Sequence, residues 1–548
     1  MRADLVLTNG NVYTADARRS RHEALAVKDG RIVALGSAAE AAEWAGPRTR
    51  TVDLGGRLVL PGFCDAHMHP VCATTELFEV PLAHCRTVEE CLDETARFAA
   101  AHPELAFIRG FGWYATTVPM EGMTAEALDR AVPDRPAMLC DDSVHAQWIN
   151  SDLLRRTGVG REDPPWPGAV VERLPDGAPK GLFHESFPWL ERAFPQYTLE
   201  QRVRAFRHFR REVASRYGLT LLHEAGVNTY DTVLDAYERL EAEDELGLRL
   251  RLAVMFDPDR PITEQVGGAE VVRARFTGPL VQAATAKFFG DGVAETRTAY
   301  LADPYDDEPG FRGEPVWRPE RLIEASCAAA EAGFQLHYHV IGDAALSLAL
   351  DAIDAARGGK DVGARDLVTH VQITDPRDYP RMAALGVVAA MQPYWFTKDP
   401  EYDAVLRRLV GERADRMYPL RSLLEAGVLV AGASDYPVSP PPDPLLAIQR
   451  GVLRRDPLAE PVNSELWPEE AVTVEDMVDA FTIAGARANF LEHETGSLEV
   501  GKSADLVVLR EDLFSLPPER INEAAVEVTL FRGRPTYSSG PFAGFDAG

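Results

Sequence analysis

The fold class this sequence predicts is α/β: a (β/α)8 TIM-like barrel with a small β-sandwich domain built from both termini. Three observations carry that expectation. Eight apolar strand candidates alternate with amphipathic helix candidates through the middle of the chain. Both ends are instead rich in short strand candidates separated by hairpin signals. Histidine, lysine and aspartate recur at or near the C-terminal ends of the barrel-strand candidates, where barrels place their chemistry.

In chain order, residues 1–57 hold the runs Leu5–Thr8, Val12–Thr14, Ala24–Lys28, Arg31–Gly36 and Thr51–Leu54, with turns at Asn9-Gly10-Asn11 and Asp29-Gly30-Arg31. The barrel-strand candidates are Val59–Cys64, Leu219–His223, Leu250–Phe256, Ala283–Phe289, Phe334–Ile341, Leu367–Val371, Val387–Gln392 and Leu429–Ala433. Helix candidates at 199–217, 229–245, 319–332, 343–357, 377–385 and 420–426 lie among them. Residues 71–198 are too many for one βα unit and read as an insertion after the first strand. That insertion carries helix candidates at 87–101 and 124–131, the apolar Ala137–Cys140 and a Pro-rich stretch at 164–179. Insertions at that place wall the active site of a barrel. The interval 397–417, with charges and aromatics, reads as a loop and a candidate lid. Ala504–Leu509 and Val526–Arg532 return to strand, so residues 490–548 are expected to join 1–57 in the sandwich, with 58–489 as the barrel.

Composition narrows the function classes. A chain of 548 residues with 46% hydrophobic residues can bury a large core. A formal net charge of −28 argues against nucleic acid, which needs a basic face, and suits a divalent cation as guest. No apolar run is long enough for a membrane span, and the N-terminus lacks a secretory pattern. The six cysteines are scattered with no C-x-x-C pair, so a reducing compartment, the cytoplasm, is the expected location. The expected partner is a small-molecule substrate, with a homodimer left open and no nucleic acid or membrane.

The run from Leu58 to Pro70 ends in His67-Met68-His69. Residues i and i+2 of a strand share a face, so both imidazoles can reach one point. Imidazole is the commonest metal ligand near neutral pH. Lys287 lies in the fourth strand candidate, His339 near the end of the fifth, His370 near the end of the sixth, and Asp435 follows the eighth. Such a set suits Zn2+ or a similar borderline metal. His337 shares a face with His339, and its role stays ambiguous. His223 near the end of the second strand is a candidate either for substrate contact or for structure.

The ordered motifs resemble the amidohydrolase superfamily, nearest to the amidohydrolase 3 branch that contains N-substituted formamide deformylases. They are Leu60-Pro61-Gly62-Phe63-Cys64-Asp65-Ala66-His67-Met68-His69-Pro70, Gly110-Phe111-Gly112-Trp113, His145-Ala146-Gln147-Trp148-Ile149-Asn150-Ser151, His339-Val340-Ile341-Gly342-Asp343 and Ser434-Asp435-Tyr436-Pro437-Val438, with the tail from Gly496 to Leu509. The resemblance implies that His67, His69 and Asp435 bind one metal and that His339 and His370 bind a second. It also implies that Lys287, carboxylated on its amine, bridges the two. The segment Thr369-His370-Val371-Gln372 departs from the branch, which often has an acidic residue before the histidine, and His337 is an extra histidine. The expected cofactor is therefore one or two divalent ions, zinc foremost. The expected reaction is hydrolysis of a C–N bond, of amide or N-substituted formamide type, by metal-activated water with Asp435 as general base and then acid. Trp113, His145 and His223 are the candidates for substrate contact. The alternatives are a deaminase of an amidine-like heterocycle and a catalytically silent metal-binding regulatory protein.

Overall fold

The structure is a computed structural model. It describes residues 2–545 apart from 115–116, 142–145, 163–168, 185, 229–231, 399–401, 440 and 458–463. The chain divides into two compact units, Met1–Val71 with Arg207–Gly548, and Cys72–Phe206.

The first unit contains the barrel. Its strands are β1 (Phe63–Met68), β2 (Leu219–Val227), β3 (Arg249–Met255), β4 (Val281–Phe289), β5 (Gln335–Val340), β6 (Leu367–His370), β7 (Val388–Met391) and β8 (Leu429–Gly432). They form one eight-stranded sheet in chain order, and every recorded pairing is parallel. Between β8 and β1 the backbone meets just past the strands. The Asp435 amide donates to the His67 carbonyl at 2.8 Å, and the His69 amide donates to the Tyr436 carbonyl at 2.8 Å. These bonds bring the ends of β1 and β8 together, and with them the expected ligands.

Helices separate the strands, as a parallel sheet requires. The helix Asp343–Arg357 shows why such a segment forms. It buries Ala345, Leu346, Ala349, Leu350 and Ile353, spaced at helical period, and ends on Gly358 at a left-handed φ of 71°. Ile262–Arg275 and Pro319–Glu331 fill the corresponding places before β4 and β5. Among the described residues no helix is long and apolar enough to cross a membrane.

The sequence expectation differs from the structure at the first strand. The run Val59–Cys64 is split at Pro61-Gly62 between two sheets. Leu58–Pro61 pairs with Asn11–Tyr13 and Leu506–Leu509, while Phe63 onwards enters the barrel and the strand continues through His67. Gly62 is needed at the crossing, because a Cβ there would lie 2.3 Å from Thr220 Oγ1. The interval 397–417 also differs from a loop. It contains the helical turns Arg407–Val410 and Gly411–Arg416, which bury Leu409, Val410 and Ala414.

Strands from both chain ends build the sandwich. One sheet runs Arg534–Ser538, Val526–Phe531, Leu506–Leu509, Leu58–Pro61, Asn11–Tyr13, Arg21–His22, and the other Arg31–Gly36, Ala24–Lys28, Leu5–Thr8, Arg50–Asp53. Alternate residues of the two sheets, among them Leu5, Leu7, Leu25, Val27, Val59, Leu506, Val508 and Val528, share one apolar core. A buried ion pair ties sandwich to barrel. Arg249, which opens β3, meets Asp505 with both side chains almost wholly buried. Without Asp505 the buried Arg249 keeps only the partly exposed Glu494, at 3.3 Å, and breaking such a buried pair costs about 3–5 kcal/mol. Asp505→Ala is therefore expected to lower unfolding stability by that amount, read from the denaturant midpoint. A loss under about 1 kcal/mol, the scale of an exposed pair, would show the pair to be dispensable.

The second unit is built on a mixed sheet of Val170–Arg173, Pro179–His184, Ala146–Ile149, Ala137–Asp141, Ile108–Trp113 and Glu79–Pro81. The helices Val88–Ala101 and Ala125–Ala131, capped by the Thr87 and Thr124 side chains, contribute Cys91, Leu92, Ala127 and Leu128 to its core.

Candidate metal centre

The alternation of strand side chains lifts His67 and His69 from the end of β1 towards one carboxylate. The Nε2 atoms of both lie 3.2 Å from Asp435 Oδ1. His370, at the end of β6, joins them. Ligand atoms of His67, His370 and Asp435 all fall within 4.8 Å of one another, and all three residues are buried. His339 on β5 packs against His370 with ring centroids 4.5 Å apart. Lys287 on β4 stands beside His337 in the β4–β5 register, and its amine is electrostatically coupled to Asp435. The structure thus gathers His67, His69, Lys287, His339, His370 and Asp435 at one end of the barrel.

Backbone geometry at the site is unusual. His370, Val371 and Asp435 have φ of 75°, 51° and 60°. Left-handed conformations cost non-glycine residues of order 1–3 kcal/mol each and persist where the surroundings over-determine them. Here the Asp435 amide is held by the His67 carbonyl and the Val371 amide by the Val340 carbonyl. The buried Asp65 carboxylate adds a clamp, accepting from the His67 and Ser434 amides at 3.1 Å each.

The far nitrogens of the imidazoles are anchored. His370 Nδ1 lies 3.0 Å from Gln392 Oε1, His339 Nδ1 3.3 Å from Asp291 Oδ1, and His67 Nδ1 2.9 Å from His337 Nε2. A histidine whose Nδ1 is engaged in this way presents Nε2 to a metal, and such partners orient metal-ligating histidines generally. Asp291 is itself fixed by the amides of Tyr300, Ile341 and Gly342.

Electrostatics agree with this reading. Burial pushes the imidazolium forms of His339 and His370 down to about 3 and that of His67 well below its ordinary value, so these rings are neutral. Burial favours the neutral form of Asp435, but the imidazoles of His67 and His69 outweigh it and hold the carboxyl well below the usual carboxylate range. Burial brings the Lys287 ammonium down to about 7. Asp435 Oδ1 and Lys287 Nζ are both buried without a hydrogen-bond partner among the described residues. Neutral imidazoles, a carboxylate oxygen with no bond of its own and an unpaired amine form a donor set that a divalent cation would satisfy.

Two expected substrate contacts are wholly buried. His223 is wholly buried with both ring nitrogens engaged, Nε2 by His337 at 3.2 Å and Nδ1 by Asn489 Oδ1 at 2.8 Å, so the ring has no atom left for a substrate. Trp113 is wholly buried in the apolar core of the second unit, where it serves packing. His145 lies outside the described residues. The sequence reading missed Asp291, Gln392 and Asn489, and it missed Trp395. The Trp395 ring stacks on His370 at 5.4 Å and its indole N–H donates to Ser439 Oγ at 2.6 Å. Phe289 lies against His339 with ring centroids 5.0 Å apart and the planes tilted by 32°. Both aromatics are only half-buried. The Asp291 signal, a carboxylate two residues past the end of β4, was there to be read.

The model of the family described as the Amidohydrolase family matches residues 50–537 of the chain. The chain is 30% identical to Protein LONG AFTER FAR-RED 3 of Arabidopsis thaliana, over 98% of this chain and 92% of that one. It is 28% identical to an N-substituted formamide deformylase of Arthrobacter pascens, over 97% of each. In three dimensions it is similar to an uncharacterized metal-dependent hydrolase from Pyrococcus horikoshii, with a TM-score of 0.77 and 24% identity over 94% of this chain and 99% of that one.

Proposed function

The chain belongs to the amidohydrolase family, and from that premise we propose that it hydrolyses a non-peptide C–N bond, of amide or N-substituted formamide type, at a divalent metal centre. The observation that carries the reading is the convergence of the buried His67, His370 and Asp435 ligand atoms, with the partly exposed His69 at 3.2 Å from Asp435 and an unpaired Lys287 in the same barrel. The likeness to a formamide deformylase supports the bond type. His67, His69, His339, His370 and Asp435 would hold the cation, and zinc is the borderline metal that suits imidazole and carboxylate donors. When bound, the cation supplies Lewis acidity towards a carbonyl oxygen and brings the pKa of a water towards neutrality.

The chain's own groups do the rest. Asp435, ionised through the neutral range, accepts the proton of the attacking water and returns it to the leaving nitrogen. Gln392 and Asp291 keep the rings of His370 and His339 in place while this happens. Phe289 and Trp395 flank those two rings and give the donor set an apolar margin.

Incubating metal-loaded protein with a panel of formamides, amides and amino-heterocycles tests the proposal. Amine and carboxylate should appear together in equal amounts. Ammonia from heterocycles without amide turnover would make the protein a deaminase. A metal-replete protein inert to the whole panel would be a silent metal-binding protein.

Lys287 enters as a carbamate. Its amine, neutral in part near pH 7 because of burial, adds to the carbon of CO2, forming an N–C bond and releasing one proton. The product offers two oxygens that share one negative charge, a ligand that would suit a pair of cations. Lys287→Ala is therefore expected to lower metal content and activity together, with partial rescue by a short-chain carboxylic acid. A high-resolution map showing an unbranched Lys287 side chain beside a single fully occupied metal would refute the carbamate.

A further inference from the structure

Barrel interiors are ordinarily filled with branched apolar side chains. In this barrel a polar column runs beneath the metal centre instead. His67 Nδ1 meets His337 Nε2 at 2.9 Å, His337 Nδ1 meets His223 Nε2 at 3.2 Å, and His223 Nδ1 meets Asn489 Oδ1 at 2.8 Å. Successive rings are edge-to-face at 4.9 Å. The three imidazoles come from β1, β5 and β2, and none has appreciable exposed surface. Asn489 caps the short helix Gly485–Ala488 and is held from below, its Nδ2 donating to the Gly485 carbonyl at 2.8 Å. The neighbouring Ala488 carbonyl accepts from Gln335, the first residue of β5, so Asn489 lies at the N-terminal end of the barrel.

Each neutral imidazole has one N–H and one lone pair, so the direction of one bond sets the direction of all. The Gly485 carbonyl can only accept. Asn489 must therefore turn its NH2 towards Gly485 and its oxygen towards His223. His223 then carries its proton on Nδ1, which leaves Nε2 to accept from His337 Nδ1. His337 Nε2 in turn accepts from His67 Nδ1. The chain ends with a lone pair on His67 Nε2, 3.2 Å from the carboxylate oxygen of Asp435. Either direction sets two acceptors face to face at one end. The reverse turns the Asn489 oxygen on the Gly485 carbonyl at the buried end, where nothing can come between them. The forward one sets the His67 Nε2 lone pair against Asp435 Oδ1 beside the partly exposed His69, where a cation or a water can bridge them.

We propose that Asn489 is a positioning residue that sets the direction of this imidazole chain and so delivers a lone pair, rather than a proton, at His67 Nε2 for a divalent cation. The inference rests on the reading that His67 holds a metal. It adds that the protein chooses the His67 tautomer from the opposite end of the barrel before any metal binds. His223 and His337 are then neither substrate contacts nor ligands, but the wiring between the two ends.

The test uses the full chain labelled with 15N-histidine, metal-free and zinc-loaded, with ring tautomers read from long-range 1H–15N correlations. His223 and His337 should carry their protons on Nδ1 in both states. Asn489→Leu should give mixed tautomers and weaken zinc binding, measured by chelator competition, by about 10–100-fold, the usual effect of losing a partner behind a metal ligand. A proton on Nε2 of His337 in the wild-type chain overturns the proposal, and that measurement decides even if the variant does not fold. Unchanged zinc affinity in a folded Asn489→Leu chain also overturns it. A wild-type chain with Nδ1 protons that binds no zinc would instead overturn the metal reading of His67.

Discussion

Asp435→Asn should lower kcat by about 10²–10⁴-fold, the range over which a positioned general acid–base acts, and leave the fold intact. The fold should survive for a specific reason. Asp435 has a φ of 60°, and asparagine tolerates the left-handed region at least as well as aspartate. The amide of residue 435 would still donate to the His67 carbonyl, and the side-chain oxygen could still face the His67 and His69 imidazoles. What is lost is the negative charge that accepts a proton from water. Kinetics, far-UV circular dichroism and metal content should be measured on the same preparation. A variant with full metal content and near-wild-type kcat would remove Asp435 from the role of base.

Removal of metal should abolish turnover, and Zn2+, Mn2+ or Co2+ should restore some of it. Asp435 Oδ1 is buried with no hydrogen-bond partner among the described residues, and the neutral His67 and His370 imidazoles stand against it, an arrangement a cation would satisfy. Stability should fall with activity. A ligand that binds only the folded state at 100 times its Kd contributes about 2.7 kcal/mol, so prolonged chelation should lower Tm and added metal should raise it. Full turnover by protein shown to be metal-free by elemental analysis would end the metal-centre proposal.

Which parts of the site were legible in the sequence follows from the range of the forces involved. His67 and His69 could be paired from sequence because side chains two apart in a strand share a face, and in the structure both reach Asp435. His339, His370, Lys287 and Asp435 could be proposed because barrel strands run in parallel and end at the same face. His223 and Trp113 could not be placed that way. The position of His223 near a strand end suggests a contact with substrate, yet its neighbours are His337 and Asn489, the latter 266 residues away. The burial of Trp113 depends on the packing of a whole unit, and no local pattern near Gly110-Phe111-Gly112 encodes it.

By itself, then, the sequence determined the α/β barrel class, the strands at both ends and the identity of the residues gathered at the site, because side-chain alternation and helical period act over a few residues and survive in one dimension. Only the tertiary structure decided that the run around Pro61-Gly62 is shared between two sheets, since Gly62 is required by the approach of Thr220 from a distant strand. It alone decided the left-handed backbone at His370 and Asp435, the partners Asp291 and Gln392 behind the ligands, and the column from His67 to Asn489. Those features are hydrogen bonds between segments brought together by closing the barrel. A hydrogen bond of that kind depends on distance and direction in space, and neither is written in the spacing of residues along the chain.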